Sequence, residues 1–351
     1  MKNINLFCTM VACISLSISA IASAESGESI ILDPSSEDYI LEFYVETENG
    51  EKILQGGKFV PATKIIPTIK SQFSLGEAGT IAYRYTISSG MQSKQLLNTL
   101  RFDPVPQVVN FRDFPVDREN ASVEEMVSIF DTNRSSLIAP AGWRSAAFPS
   151  RFGGWRISWG SLDTSKGGLQ PGQSARWFGL NSHFLPSIGM AEMEGAHGIR
   201  GYGGGGPSGE IRDQLDILDQ NDFVPRFAAV PTIAVPTPFD AALLVERIQA
   251  NMHTWIGMKL LDATFSSQLD RSLTAAADAY RHNQLKAGRD HIQDVRLLLK
   301  QAYADIENED IVDEDTGNNQ GAQFKNGMIA RLAARVLDFN IKYVLKQLGE
   351  K

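Results

Sequence analysis

The stretch Thr80-Ile81-Ala82-Tyr83-Arg84-Tyr85-Thr86-Ile87 alternates large apolar residues with small or polar ones. Successive side chains of an extended strand point to opposite sides, so Ile81, Tyr83, Tyr85 and Ile87 share one face while Ala82, Arg84 and Thr86 share the other. That is the signature of a half-buried antiparallel strand. On either side of it, residues 39–46, 69–75, 96–102, 107–111, 155–159 and 174–180 also read as strands, separated by turns rich in Gly, Pro, Asn and Asp. One short helix, 122–130, interrupts them, with Ser122 and Glu125 spaced as a capping box. Many short strands at such spacing predict an antiparallel β-sandwich, with a partly open barrel as the alternative.

Beyond residue 237 the composition changes. Pro and aromatic residues thin out, and Ala, Leu, Gln and charged residues take over. Residues 238–261, 266–283, 286–306 and 324–348 carry apolar side chains at spacings of three and four, the period of an amphipathic helix. Leu243, Leu244, Ile248, Met252 and Trp255 line the first stripe, and Ile329, Leu332, Val336, Phe339, Val344 and Leu345 the last. The fold expected is multidomain: an N-terminal β-sandwich over 25–230, a Pro-rich linker at 231–237 within the extended stretch 228–237, and a C-terminal four-helix bundle-like domain over 238–351. Thr237 is expected to cap the first helix, with Pro238 at its first position.

Residues 1–24 read as a secretion signal. Lys2 precedes a short apolar core, and Ala22-Ser23-Ala24 supplies the small residues that a signal peptidase accepts. Ser15, Ser17, Ser19 and Ser23 dilute the core below what a retained span of about 20 apolar residues needs. A lipid-anchored reading on Cys13 is disfavoured by Met10, where Leu is expected. Removal of the signal takes both cysteines, Cys8 and Cys13, leaving a mature chain with neither disulfide nor thiolate chemistry. The protein is thus expected to be secreted, in the periplasm or the extracellular space, with no integral membrane segment after cleavage. Its formal charge of −8 argues against a nucleic-acid partner and against electrostatic docking on an anionic membrane.

Chemistry-bearing residues are sparse. Four of the five tryptophans, Trp143, Trp155, Trp159 and Trp177, fall in one segment, and strand periodicity puts Trp155 and Trp159 on one sheet face. Flat rings stack on the apolar faces of sugars, and Arg156, Arg176, Asp163 and Asn181 are at hand to bind hydroxyls. The candidate ligand-binding set is therefore Trp155, Trp159, Arg156, Trp177 and Arg176. The competing and favoured reading makes the indoles core. His183 and His197 flank Glu192 and Glu194, an acid/base or metal candidate, although no histidine spacing matches a known metal motif. The glycines 201–206 lack the Lys and Ser/Thr of a phosphate loop, and Ser174 lacks the second glycine of a nucleophile elbow. Asp313, Asp315 and Gly317 open like a calcium loop but reach Asn318 and Phe324 where Gly and Glu belong, which leaves calcium as a weak candidate and no cofactor as the default.

Two segments carry resemblances. Leu273-Thr274-Ala275-Ala276-Ala277-Asp278-Ala279, Lys286-Ala287-Gly288 and Ile329-Ala330-Arg331-Leu332-Ala333-Ala334 resemble FIMAH-type helical modules found near the C-termini of secreted bacterial proteins. Pro140-Ala141-Gly142-Trp143, Ile157-Ser158-Trp159, Gln170-Pro171-Gly172-Gln173-Ser174 and Leu185-Pro186-Ser187-Ile188 are similar to β domains of uncharacterised exported bacterial proteins. Neither resemblance brings a catalytic residue. Together they imply a secreted module of unassigned role. With no catalytic motif in the sequence, the function expected is that of an exported binding or accessory protein whose partner is an extracellular glycan or a surface protein. A hydrolase without a familiar motif and a structural surface or matrix protein are the alternatives.

Overall fold

The computed structural model describes residues 27–47, 49–115, 122–162, 167–196, 209–219, 223–304, 306 and 327–349. The predicted signal peptide, Asp163, His197, the glycines 201–206, the residues 313–318 of the calcium-like loop and Phe324 lie outside the described residues. In chain order the strands are β1 (Ser29–Asp33), β2 (Asp38–Glu46), β3 (Lys52–Phe59), β4 (Pro67–Leu75), β5 (Ile81–Ser89), β6 (Leu97–Val105), β7 (Trp143–Pro149), β8 (Trp155–Ser161), β9 (Ser174–Ser182), β10 (Leu185–Gly195) and β11 (Val224–Ile233). The helices are α1 (Val123–Ser135), α2 (Gly209–Asp219), α3 (Ala241–Gly257), α4 (Ala263–Arg281), α5 (Leu285–Ala302) and α6 (Arg331–Gln347). The chain is thus mixed α/β, with three antiparallel sheets ordered β1-β2-β3, β4-β5-β9 and β11-β10-β6-β8-β7. None of the described helices is long and apolar enough to cross a membrane.

Two compact units divide the chain, Met1–Phe59 with Ile199–Leu218, and Val60–Gly198 with Asp219–Lys351. In the first, alternation along β2 sends Leu41 and Phe43 to one face, where with Phe59 they pack on Ile211 and Leu215 of α2. The β1–β2 turn is held by the Asp33 carboxylate, which accepts from the hydroxyls of Ser35 and Ser36, each at 2.7 Å, and from the Ser35 amide at 2.9 Å. Those bonds, the Ser35 hydroxyl foremost, favour the charged form and lower the Asp33 pKa to about 2.

The second unit holds the other two sheets and α1, α3, α4, α5 and α6. Ile81, Tyr83, Tyr85 and Ile87 of β5 are buried, as their spacing predicts. Tyr85 meets Phe102 of β6 at 4.8 Å between ring centroids, and Trp159 of β8 packs edge-on against both Phe102 and Phe178 of β9. Aromatic side chains from both sheets therefore share one core. Helix α6 enters the same cluster and is buried on almost every side, which calls for internal partners for its polar residues. Arg335 donates to the Ser71 carbonyl at 3.1 Å, Asn340 donates to the Pro186 carbonyl at 2.9 Å, and Asp338 takes Lys342 at 2.8 Å and Arg296 at 3.3 Å.

The compositional break expected to separate the β and helical domains falls inside this unit, and residues 231–233 of the expected linker are the end of β11. The break marks a change of element type, while the packing runs across it. β11 is an outer strand of its ladder, where missing amides cost least, so it accommodates Pro225 and Pro231. Residues 107–111 form no strand: Asn110 adopts φ 66°, a turn conformation that Asn tolerates. At α3 the cap is Asp240 rather than Thr237, its carboxylate accepting from the Leu243 amide at 3.0 Å. Ser122 caps α1 as expected, accepting from the Glu125 amide at 3.1 Å, and that helix continues to Ser135.

Candidate functional site

The outward faces of β4, β5 and β9 come from the positions between the buried ones. Register brings Thr68, Ser88 and Ser174 into one row across the sheet and Lys70, Thr86 and Arg176 into the next. Gln72, Arg84 and Gly179 make the third. The face is polar because the opposite alternation is spent on the core. Ser88 and Ser174 are joined hydroxyl to hydroxyl at 2.7 Å. Arg84 lies flat, donating to the carbonyls of Tyr83 at 2.8 Å and Leu180 at 3.2 Å and to the Asn181 side-chain oxygen at 3.4 Å. It can do so because residue 179 is Gly; a Cβ there would stand 2.9 Å from the Arg84 side chain. Partial burial lowers the pKa of the Arg84 guanidinium.

The register breaks once. Tyr85 faces Phe178 and Thr86 faces Arg176, so Trp177 is an extra residue in β9. Such a bulge re-aims a side chain. At Trp177 the backbone takes φ 72°, a left-handed conformation that side chains other than Gly rarely adopt, and the indole is 54 % exposed. It borders a hollow of about 380 Å³ together with Arg176, Lys70, Gln72 and the hydroxyls of Thr68, Thr86, Ser88 and Ser174. Among the described residues no carboxylate lines this hollow. Since strand backbones hold the lining side chains, the surface is formed before any ligand arrives.

Of the residues singled out from sequence, Trp177 and Arg176 meet here. Trp155 and Trp159 do share one face of β8, but it is the inner one: Trp159 is fully buried with its indole N–H donating to the Ile138 carbonyl at 2.8 Å, and Trp155 packs edge-on against Phe111 at 5.0 Å. Trp143 packs against Phe178 at 4.9 Å. Arg156 belongs to the other sheet and is paired with Asp103 at 2.7 Å. Asn181 serves Arg84. No sequence motif marks Lys70, Gln72, Thr86 and Ser88 as a site; they are the polar alternates of the two most regular strand patterns, β4 and β5.

Among the described acid/base candidates, His183 does not converge with Glu192 and Glu194. Glu192 and Glu194 lie along β10 with Arg101 between them, at 2.5 Å and 3.4 Å. His183 sits in the turn before Leu185, roughly 20 Å or more from Glu192 at strand spacing. Among the described residues no three His, Cys, Asp or Glu side chains gather as a metal site.

No protein-family model and no curated protein matches the chain.

Proposed function

We propose that this is an exported, non-enzymatic binding protein that recognises an extracellular carbohydrate through the outer face of β4, β5 and β9. In this reading residues 1–24 direct export, the two sheets of the larger unit act as a β-sandwich, and α3–α6 support it as a bundle-like layer. The observation that carries the proposal is the aromatic ring of Trp177, turned outward by a bulge at a strained backbone position beside hydroxyl and amide side chains. Burying an indole is the favourable default, so an indole held out at the cost of a left-handed backbone has a use at the surface. Sugars supply the matching chemistry: an apolar face for the ring, and hydroxyls for Thr68, Ser88, Ser174 and Gln72.

Titration of the mature protein with neutral and acidic oligosaccharides, followed by tryptophan fluorescence, tests this. A saturable spectral change is expected with at least one sugar. It should be abolished by Trp177→Ala and persist unaltered in a variant with a changed, well-folded α1 surface such as Val123→Ser. The proposal fails if no sugar changes the emission and none is detected by calorimetry, or if binding survives Trp177→Ala at full affinity.

A further inference from the structure

The middle row of the site joins Lys70 through Thr86 to Arg176. Neighbouring strands are about 4.8 Å apart, so two cation-bearing positions stand roughly 10 Å apart across one hydroxyl. A Lys stem and an Arg fork both span half that gap with ease. Among the described residues neither Lys70 nor Arg176 has an ion-pair or side-chain hydrogen-bond partner. Several cations elsewhere are paired with carboxylates, Lys58 with Asp38, Arg101 with Glu192, Arg156 with Asp103 and Arg296 with Asp338. The chain as a whole is acidic at −8, so this carboxylate-free patch is a local feature, not a sample of a basic surface. Two like charges set across the same row repel each other, and an anion seated over Thr86 would relieve both.

We infer that the bound glycan carries acid groups, carboxylate or sulfate, held between Lys70 and Arg176 over Thr86 while the sugar ring next to it stacks on Trp177. This deepens the carbohydrate reading and rests on it. Arg176 is adjacent in sequence to Trp177, so the spacing from anion site to ring is set within one strand. The row Thr68, Ser88 and Ser174 is left for hydroxyls of a neighbouring sugar unit.

Isothermal titration calorimetry with a galacturonate hexamer, its fully methyl-esterified counterpart, a chondroitin sulfate hexasaccharide and polyglutamate decides the matter. At least one acidic sugar is expected to bind, more weakly as salt rises, and at least tenfold more tightly than the neutral ester. Lys70→Gln and Arg176→Gln should each weaken the acidic sugar roughly fivefold, the size of one exposed charge contact, and so narrow its advantage over the ester. Trp177→Ala should weaken acid and ester alike. Circular dichroism and melting of each variant establish that the fold is kept. Equal, salt-insensitive affinity for hexamer and ester would overturn the acid-group inference and leave the carbohydrate reading standing. Polyglutamate binding as tightly as the sugars and indifferent to Trp177→Ala, or no binding by any probe, would overturn both.

Discussion

Trp177 offers a test of the bulge that needs no ligand. Two variants, Trp177→Ala and Trp177→Gly, both remove the indole, so whatever packing the half-exposed ring contributes cancels between them. What remains is the backbone. At an ordinary strand position Gly is less stable than Ala by about 0.5–1 kcal/mol, because it loses more freedom on folding. At φ 72° a Cβ crowds the following carbonyl, at a cost of about 1–2 kcal/mol that Gly does not incur. The order should therefore invert, with Trp177→Gly more stable than Trp177→Ala by about 1 kcal/mol. Melting followed by circular dichroism should put the Gly variant about 2–4 °C above the Ala variant, and urea unfolding should agree in sign. Both variants should bind the sugar more weakly than the native protein. An Ala variant as stable as the Gly variant, or more so, would show that β9 is unbulged here, and with it would go the argument that the ring is deliberately turned outward.

Acrylamide should quench the native protein measurably and Trp177→Phe very little, since Trp143, Trp155, Trp159 and Trp255 are each less than a tenth exposed; unchanged quenching would refute that burial. Trp159→Ala should destabilise the larger unit by about 3–5 kcal/mol, by removing a fully buried ring and its hydrogen bond to the Ile138 carbonyl, as read by chemical denaturation. Gly288→Ala, ordinarily helpful within a helix, should instead destabilise by about 1–3 kcal/mol, because the added Cβ would meet the Tyr280 ring where α4 and α5 pack. The Asp33 carboxyl should titrate near about 2 by nuclear magnetic resonance and move up toward the usual carboxylate range in Ser35→Ala/Ser36→Ala. Its folded pKa is depressed, so the turn's contribution is complete above about pH 4 and disappears as the pH falls through about 2.

Local pattern alone determined a good part of this molecule. The alternation of Ile81, Tyr83, Tyr85 and Ile87 has one outcome once one face of the strand is buried, and the three-and-four spacing over α3–α6 likewise admits only helices. Ser122 announces α1 because its hydroxyl and the Glu125 amide are neighbours in the chain. Tertiary structure decided what depends on partners distant in sequence. Pro225 and Pro231 argue against a strand until β11 is seen at the edge of its sheet, and β3 hides its strand behind Gly56 and Gly57. Period two places Trp155 and Trp159 on one face but is silent on which face meets the core; Phe102, Phe178 and Phe111 settle that. For Trp177 the pattern misleads outright, because the extra residue exists only relative to Tyr85 and Thr86 on the neighbouring strand. A bulge is a mismatch between two ladders, and one ladder's sequence contains only half of it.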